Sequence, residues 1–199
     1  MTIYLIRHGL AAAGAEDLDP GLDPVGHAQA AATADAFRGR DIARLVVSPL
    51  RRTQETAAPI AEAVGVPSET RVEVAEVFDP TMPSDERRQM IGPFMASTWS
   101  VQPEHLLAWR QRVLDALLEL AHETPGDLVV VSHYIAIGVV IGAALRDDRV
   151  VPVQIANCSI TSLEAAAGAF SLLEAASTQH LPEDLVTGLR TALPGGAQP

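Results

Sequence analysis

The chain opens on an apolar, β-prone run. Thr2-Ile3-Tyr4-Leu5-Ile6 leads straight into Arg7, His8 and Gly9. This pattern predicts a buried strand, with Gly9 permitting a sharp exit where backbone passes close to a ligand. Leu45-Val46-Val47 predicts a second buried strand, and Leu128-Val129-Val130-Val131 a third that is covered on both faces. Residues 71–78 alternate polar and apolar and predict a half-exposed strand ending near Glu76. Residues 150–155, 158–164 and 169–175 complete the strand candidates, with Gly168 at a hairpin turn. Helical spacing fills the intervals. Asp23 is placed to cap, and Pro24 to begin, a helix running to about Arg38 and stopped by Gly39. Ser48 and Pro49 are read the same way for a helix that carries Arg51 and Arg52 in its first turn and Pro59 well inside. The longest apolar stripe at the 3.6 period covers 103–123, with Leu106, Val113, Leu114, Leu117 and Leu118, and an apolar helix is expected over about 135–145. Alternating strands and helices predict an α/β protein: a three-layer sandwich with a mixed, mostly parallel central sheet flanked by helices.

With 199 residues the chain fits one domain, expected over 1–199, with core enough to fold alone. Residues 77–102 hold Pro80, Met82, Pro83, Met90, Gly92, Pro93, Met95 and Trp99, and are read as an insertion with one short helix around 85–90. An insertion of that length suits a lid or specificity loop, and its methionines and tryptophan suit either a pocket lining or a satellite core. A loosely ordered tail with one short helix is expected from about 177. No apolar run is long enough for a bilayer and no secretory pattern opens the chain, so a cytoplasmic protein without membrane partners is expected. Net charge −11 argues against a nucleic-acid partner. All 14 basic residues are Arg, which excludes a lysine nucleophile and favours a forked ligand for phosphate or carboxylate. The one cysteine, Cys158, cannot form an intrachain disulfide and is read as a small buried residue. Asn157-Cys158-Ser159 matches a glycosylation sequon that carries no weight without a secretory signal.

Candidate chemistry clusters where strands end. Arg7 and His8 follow the first strand, Arg51 and Arg52 the second, Glu76 the alternating segment, and His133 the most apolar strand. Strand ends are where open α/β sheets bind ligands. Arginines in the first turn of a helix oppose its dipole, so an anionic partner is expected there. His27, His105, His122 and His180 fall on helices, loops or the tail and are read as structural or solvated. No close His/Cys/Asp cluster has metal-ligand spacing.

Taken in order, Leu5-Ile6-Arg7-His8-Gly9, Ser48-Pro49-Leu50-Arg51-Arg52-Thr53-Gln54-Glu55-Thr56-Ala57, Glu76 and Val130-Val131-Ser132-His133 resemble the histidine phosphatase superfamily, of phosphoglycerate-mutase-like fold. Leu22-Asp23-Pro24-Val25-Gly26-His27-Ala28-Gln29-Ala30 resembles the entry to that family's first helix, and Asn157-Cys158-Ser159-Ile160 a short polar segment before its late strand. The resemblance implies a metal-independent, cofactor-free phosphatase acting on a small phosphorylated substrate. His8 would be the nucleophile that becomes a phosphohistidine, and Arg7, Arg52 and His133 would hold the phosphoryl oxygens, with Arg52 rather than Arg51 as the ligand. Glu76 would protonate the leaving alcohol and then activate water, which requires a partly desolvated carboxyl; Asp79 is the alternative acid. Three departures bear on substrate. Tyr134 stands where the family usually has glycine, Leu10-Ala11-Ala12 replaces polar residues, and Val77-Phe78-Asp79-Pro80 replaces the segment common in mutase-like members. A phosphomutase of the same mechanism and a non-catalytic phospholigand-binding module are the alternatives. Neither the substrate nor the oligomeric state follows from the residues.

Overall fold

A computed structural model describes residues 1–12, 17–78 and 84–189. Its elements in chain order are β1 (Ile3–Arg7), α1 (Pro24–Phe37), β2 (Ile42–Val47), α2 (Arg51–Val64), β3 (Ser68–Thr70), α3 (Ser84–Met95), α4 (Glu104–Glu123), β4 (Asp127–Ser132), α5 (Tyr134–Leu145), β5 (Ile160–Ala166) and β6 (Ala169–Ser177). They form one six-stranded sheet in the order β3-β2-β4-β1-β5-β6. The first four strands in that order run parallel, β5 runs against them and β6 turns back antiparallel to β5, so the sheet is mixed and mostly parallel.

Two apolar clusters make this a three-layer sandwich. Ile6, Leu45, Val47, Val129 and Val131 project from one face onto Ala34 and Phe37 of α1 and Ala57 and Ile60 of α2. Ile3, Leu5, Val46, Leu128 and Val130 project from the other onto Val113 and Leu117 of α4 and Ile137 and Ile141 of α5. Every apolar residue of β4 is fully buried, as a strand covered on both faces requires.

Four local expectations are corrected. Residues 71–78 form no strand. The ladder ends at Thr70, with Arg71 N–H still reaching the Val47 carbonyl, and the chain then tightens into a 3-10 turn over Val72–Val74. That turn buries Val74 and leaves Val72 71% exposed, so two residues of the alternating pattern face opposite environments. Residues 150–155 also stay out of the sheet: Pro152 lacks a donor, and the nearest pairing is an isolated bridge between Thr98 and Arg149. Gly9 meets protein rather than ligand, since a Cβ there would lie 2.7 Å from the Gly26 carbonyl of α1. Ser48, finally, does not cap α2. Leu50 holds the cap position without a side-chain bond, and the Asp19 carboxylate accepts from Arg51 N–H at 3.0 and 3.1 Å. The anion anticipated at this helix end is thus supplied by the chain itself.

Beyond β6 the chain turns back towards β1. Asn157 N–H donates to the Thr187 carbonyl at 2.9 Å, and the Gln29 amide donates to Leu185 O and Thr187 Oγ1, both at 2.7 Å. Trp99 is core, 2% exposed, while Met95 packs partly buried beside it and Met90 is open to solvent.

Candidate active site

Strand register builds the site. Val47 pairs with Val131 across β2 and β4, and Arg7 with Ser132 across β1 and β4. The next residue on each strand, Ser48, His133 and His8, therefore leaves the sheet at one common edge. His8 N–H donates to the Ser132 carbonyl at 3.0 Å and Ser48 N–H to the Val131 carbonyl at 3.1 Å, so the ladder reaches into the site. The two imidazole rings stand 5.2 Å apart.

The first turns of α2 supply the cation. Arg51 points outward and pairs with Glu55, Nε to Oε1 at 2.7 Å. Arg52 turns inward, its Nε donating to His8 Nε2 at 3.3 Å and its Nη2 lying 3.4 Å from His133 Nδ1. Thr56, one turn on, fixes this end of the helix to β1: its hydroxyl accepts from Gly9 N–H at 3.0 Å and donates to the Arg52 carbonyl at 2.7 Å. Arginine can only donate, so the His8 Nε2 it faces carries a lone pair. His8 Nδ1 lies 2.8 Å from the Gly9 carbonyl and carries the proton. Burial, then Arg7 and Arg52, depress the His8 pKa to about 3. Burial, then His8, Arg52 and Arg7, also push His133 well below the ordinary histidine value. Both rings are neutral at physiological pH.

Arg7 is held by backbone. Its Nη1 donates to the Ile155 carbonyl at 2.6 Å and lies 3.4 Å from the Gly188 carbonyl, and its guanidinium packs 4.9 Å from the centre of the Tyr134 ring. Its Nε is buried without a hydrogen-bond partner among the described residues. Glu76 follows the 3-10 turn, its carboxylate accepting from Val77 N–H at 2.9 Å and Ile135 N–H at 3.2 Å. Burial raises its pKa against the opposing effect of those donors and of Arg52 and Arg7.

Arg7, His8, Arg52 and Glu76 line one cavity of about 490 Å³, together with Phe78, Ile91, Gly92, Met95, Tyr134, Ile135 and Gly188. His133, fully buried, stands behind Arg52 and does not line it. Asp79 lies outside the described residues. The Cys158 thiol is buried and pushed up to about 12, which leaves no thiolate to attack with. His27, His105 and His122 are exposed, and His180 meets Thr33 and the Cys158 carbonyl away from the cavity. Among the described residues no cluster of three His, Cys, Asp or Glu side chains could hold a metal, and no helix is long and apolar enough to cross a membrane.

Sequence reasoning missed Ser48, Gln29 and Gly188. Ser48 Oγ, fully buried, lies 2.7 Å from His133 Nε2. Gln29, also fully buried, accepts from Leu10 N–H at 2.8 Å and so ties the loop after His8 to the returning chain. A signal existed for Gln29: helical spacing puts it on the buried face with Gly26, Ala30 and Thr33, where a polar side chain needs partners. None existed for Gly188, which depends on the path of the whole chain.

An open α/β sheet whose strand ends bring two guanidinium groups and two neutral imidazoles together has the donors to hold an oxyanion. The chain belongs to the histidine phosphatase superfamily (branch 1), whose family model matches residues 3–178. An uncharacterized protein of Mycobacterium tuberculosis, Rv0525, is 51% identical over 55 residues, a match that covers 28% of this chain and 27% of that relative's length. Among solved structures, Bacillus stearothermophilus YhfR superposes with a TM-score of 0.75 at 21% identity, over 90% of this chain and 98% of that one. The phosphoserine phosphatase of Entamoeba histolytica, in complex with 3-phosphoglyceric acid, gives 0.73 at 24% identity, over 91% and 99%.

Proposed function

We propose that the protein is a phosphatase that hydrolyses a small phosphomonoester through a phosphohistidine on His8. The observation that carries this reading is the seating of the His8 ring between the Gly9 carbonyl and Arg52, which sets its tautomer. Its Nδ1–H is tied to the Gly9 carbonyl, and its Nε2 lone pair faces Arg52 at the cavity. A neutral imidazole fixed this way is a nucleophile at any pH above its depressed value. The Arg7 guanidinium lines the same cavity and offers N–H donors to a phosphoryl oxygen. Two arginines then neutralise charge on the transferring group, which is most of what phosphoryl transfer demands.

In the first step the Nε2–P bond forms as the P–O bond to the alcohol breaks, and the departing oxygen takes the proton of Glu76. The raised pKa of Glu76 keeps that proton available. In the second step water gives a proton back to Glu76 and attacks phosphorus, so phosphate leaves and His8 is restored. His133 serves from behind, as an acceptor for Arg52. The apolar residues Phe78, Ile91, Met95 and Ile135 receive the alcohol portion and thereby act as the specificity wall.

The test is hydrolysis of an aryl phosphate with chelator present, beside labelling with a 32P-phosphomonoester quenched in alkaline detergent. Chelator-resistant turnover with acid-labile, base-stable label on His8 supports the reading. Turnover without label on the wild type, or undiminished in His8→Ala, overturns it.

A further inference from the structure

Among the described residues Arg52 is the cation hydrogen-bonded to the nucleophile: its Nε meets His8 Nε2 and its Nη2 His133 Nδ1, while Nη1 lies 3.7 Å from the Asp19 carboxylate on the outer side. The second contact is attractive in only one tautomer of His133. With the proton on Nε2, the Nδ1 lone pair accepts from Arg52. With the proton on Nδ1, two donors face each other and the guanidinium is pushed off its seat. Something must hold the proton on Nε2, and the atom beside Nε2 is Ser48 Oγ, at 2.7 Å.

We infer that Ser48 is a positioning residue: its hydroxyl accepts from His133 Nε2–H, fixes the tautomer, and so aims Arg52 at the phosphoryl site. This inference rests on the phosphatase reading for its kinetic consequence, but not for its geometry. The support around Ser48 suits such a part. Its N–H is bound to the Val131 carbonyl at 3.1 Å, and its carbonyl accepts from Thr53 Oγ1 at 2.8 Å and the Gln54 amide at 2.7 Å. Thr53 and Gln54 lie in the same helix as Arg52, so one helix carries the cation and also clamps the residue that sets its acceptor. Ser48 and His133 are both fully buried, so water cannot replace a missing partner. A second hydroxyl orientation, donating to Nε2, would select the other tautomer, and the Arg52 contact opposes it.

Three measurements test this. In wild type, long-range 1H–15N spectra at neutral pH are expected to show His133 protonated at Nε2 alone; protonation at Nδ1, or a doubly protonated ring, overturns the inference. Ser48→Ala is expected to lower kcat/KM by about 10- to 100-fold, the scale of a misaimed group, and Ser48→Thr, which keeps the hydroxyl, to recover most of it. The same Ser48→Ala change in a His133→Ala background is expected to cost less than about 2-fold, because a residue that acts only through His133 has nothing left to act on. An equal cost in both backgrounds overturns the inference. If wild type hydrolyses no phosphomonoester, the phosphatase reading falls, and the 15N spectrum alone judges the role of Ser48.

Discussion

The floor and the wall of the cavity are built on different principles. The floor is Arg7, His8 and Arg52, with His133 and Ser48 beneath: polar groups at the ends of buried strands or, for Arg52, in the first turn of α2, each with a named hydrogen-bond partner. The wall is Phe78, Ile91, Met95, Tyr134 and Ile135, drawn from a loop and from the sides of α3 and α5. The floor tolerates one arrangement, since moving a donor by an ångström leaves a buried polar atom unpaired. The wall needs only volume and apolarity, which many side chains supply. On the phosphatase reading proposed above, this contrast assigns reaction type to the floor and substrate choice to the wall.

Changes on either side can break the contrast. His8→Ala is expected to lower kcat by about 10³-fold or more for every phosphomonoester, while inorganic phosphate still binds Arg7 and Arg52 by calorimetry. Uneven loss across substrates would place the nucleophile elsewhere. Glu76→Gln is expected to cost about 10²- to 10⁴-fold on alkyl phosphates, and far less on aryl phosphates whose leaving oxygen needs no proton. In wild type, kcat for alkyl phosphates should fall as pH rises through the elevated Glu76 value, because only the protonated carboxyl is the acid. Glu76→Gln should lose that limb. His8, with its pKa depressed to about 3, adds no titration between pH 5 and 8. Gly188→Ala sits between floor and wall. Its Cβ would stand 2.3 Å from Asn157 Oδ1 and 2.7 Å from Arg7 Nη1, at a φ of +80°. A thermal melt should show a loss of about 1–2 kcal/mol, with kcat/KM reduced about 10-fold through Arg7. The smallest effect belongs to the wall: Met95→Ala should raise KM for a bulky apolar phosphomonoester by about 3- to 10-fold and leave phosphate affinity unchanged. A kcat loss there as large as that of Glu76→Gln would erase the distinction.

The same contrast decides what could be read from the residues. Strands buried on both faces announce themselves, so β1, β2 and β4 fall where their apolar runs lie, and the groups just beyond their ends follow. Helix starts with a capping side chain are equally legible: Asp23 accepts from Gly26 N–H at 2.7 Å and α1 begins at Pro24. Elsewhere local pattern lost to tertiary structure. Val72 and Val74 alternate like a strand but have no ladder to join, since β2, the partner of β3, ends at Val47. Ser48-Pro49 has the chemistry of a helix start, yet a buried histidine competed for the hydroxyl and won. The wall was legible only as an apolar insertion, because generic side chains do not say which of them, Met95 or Trp99, will face a cavity.

The placement of β1 also governs how the molecule comes into being. This strand lies between β4 and β5, so its partners are residues 128–132 and 160–163. The bond from Arg7 to the Gly188 carbonyl spans 181 residues of chain. Few of the contacts that shape the cavity are local, and loop closure on that scale precedes any gain from pairing. During synthesis the first strand therefore waits as exposed apolar chain until most of the protein has been made. The cavity has its full lining only once the chain as far as Gly188 is in place.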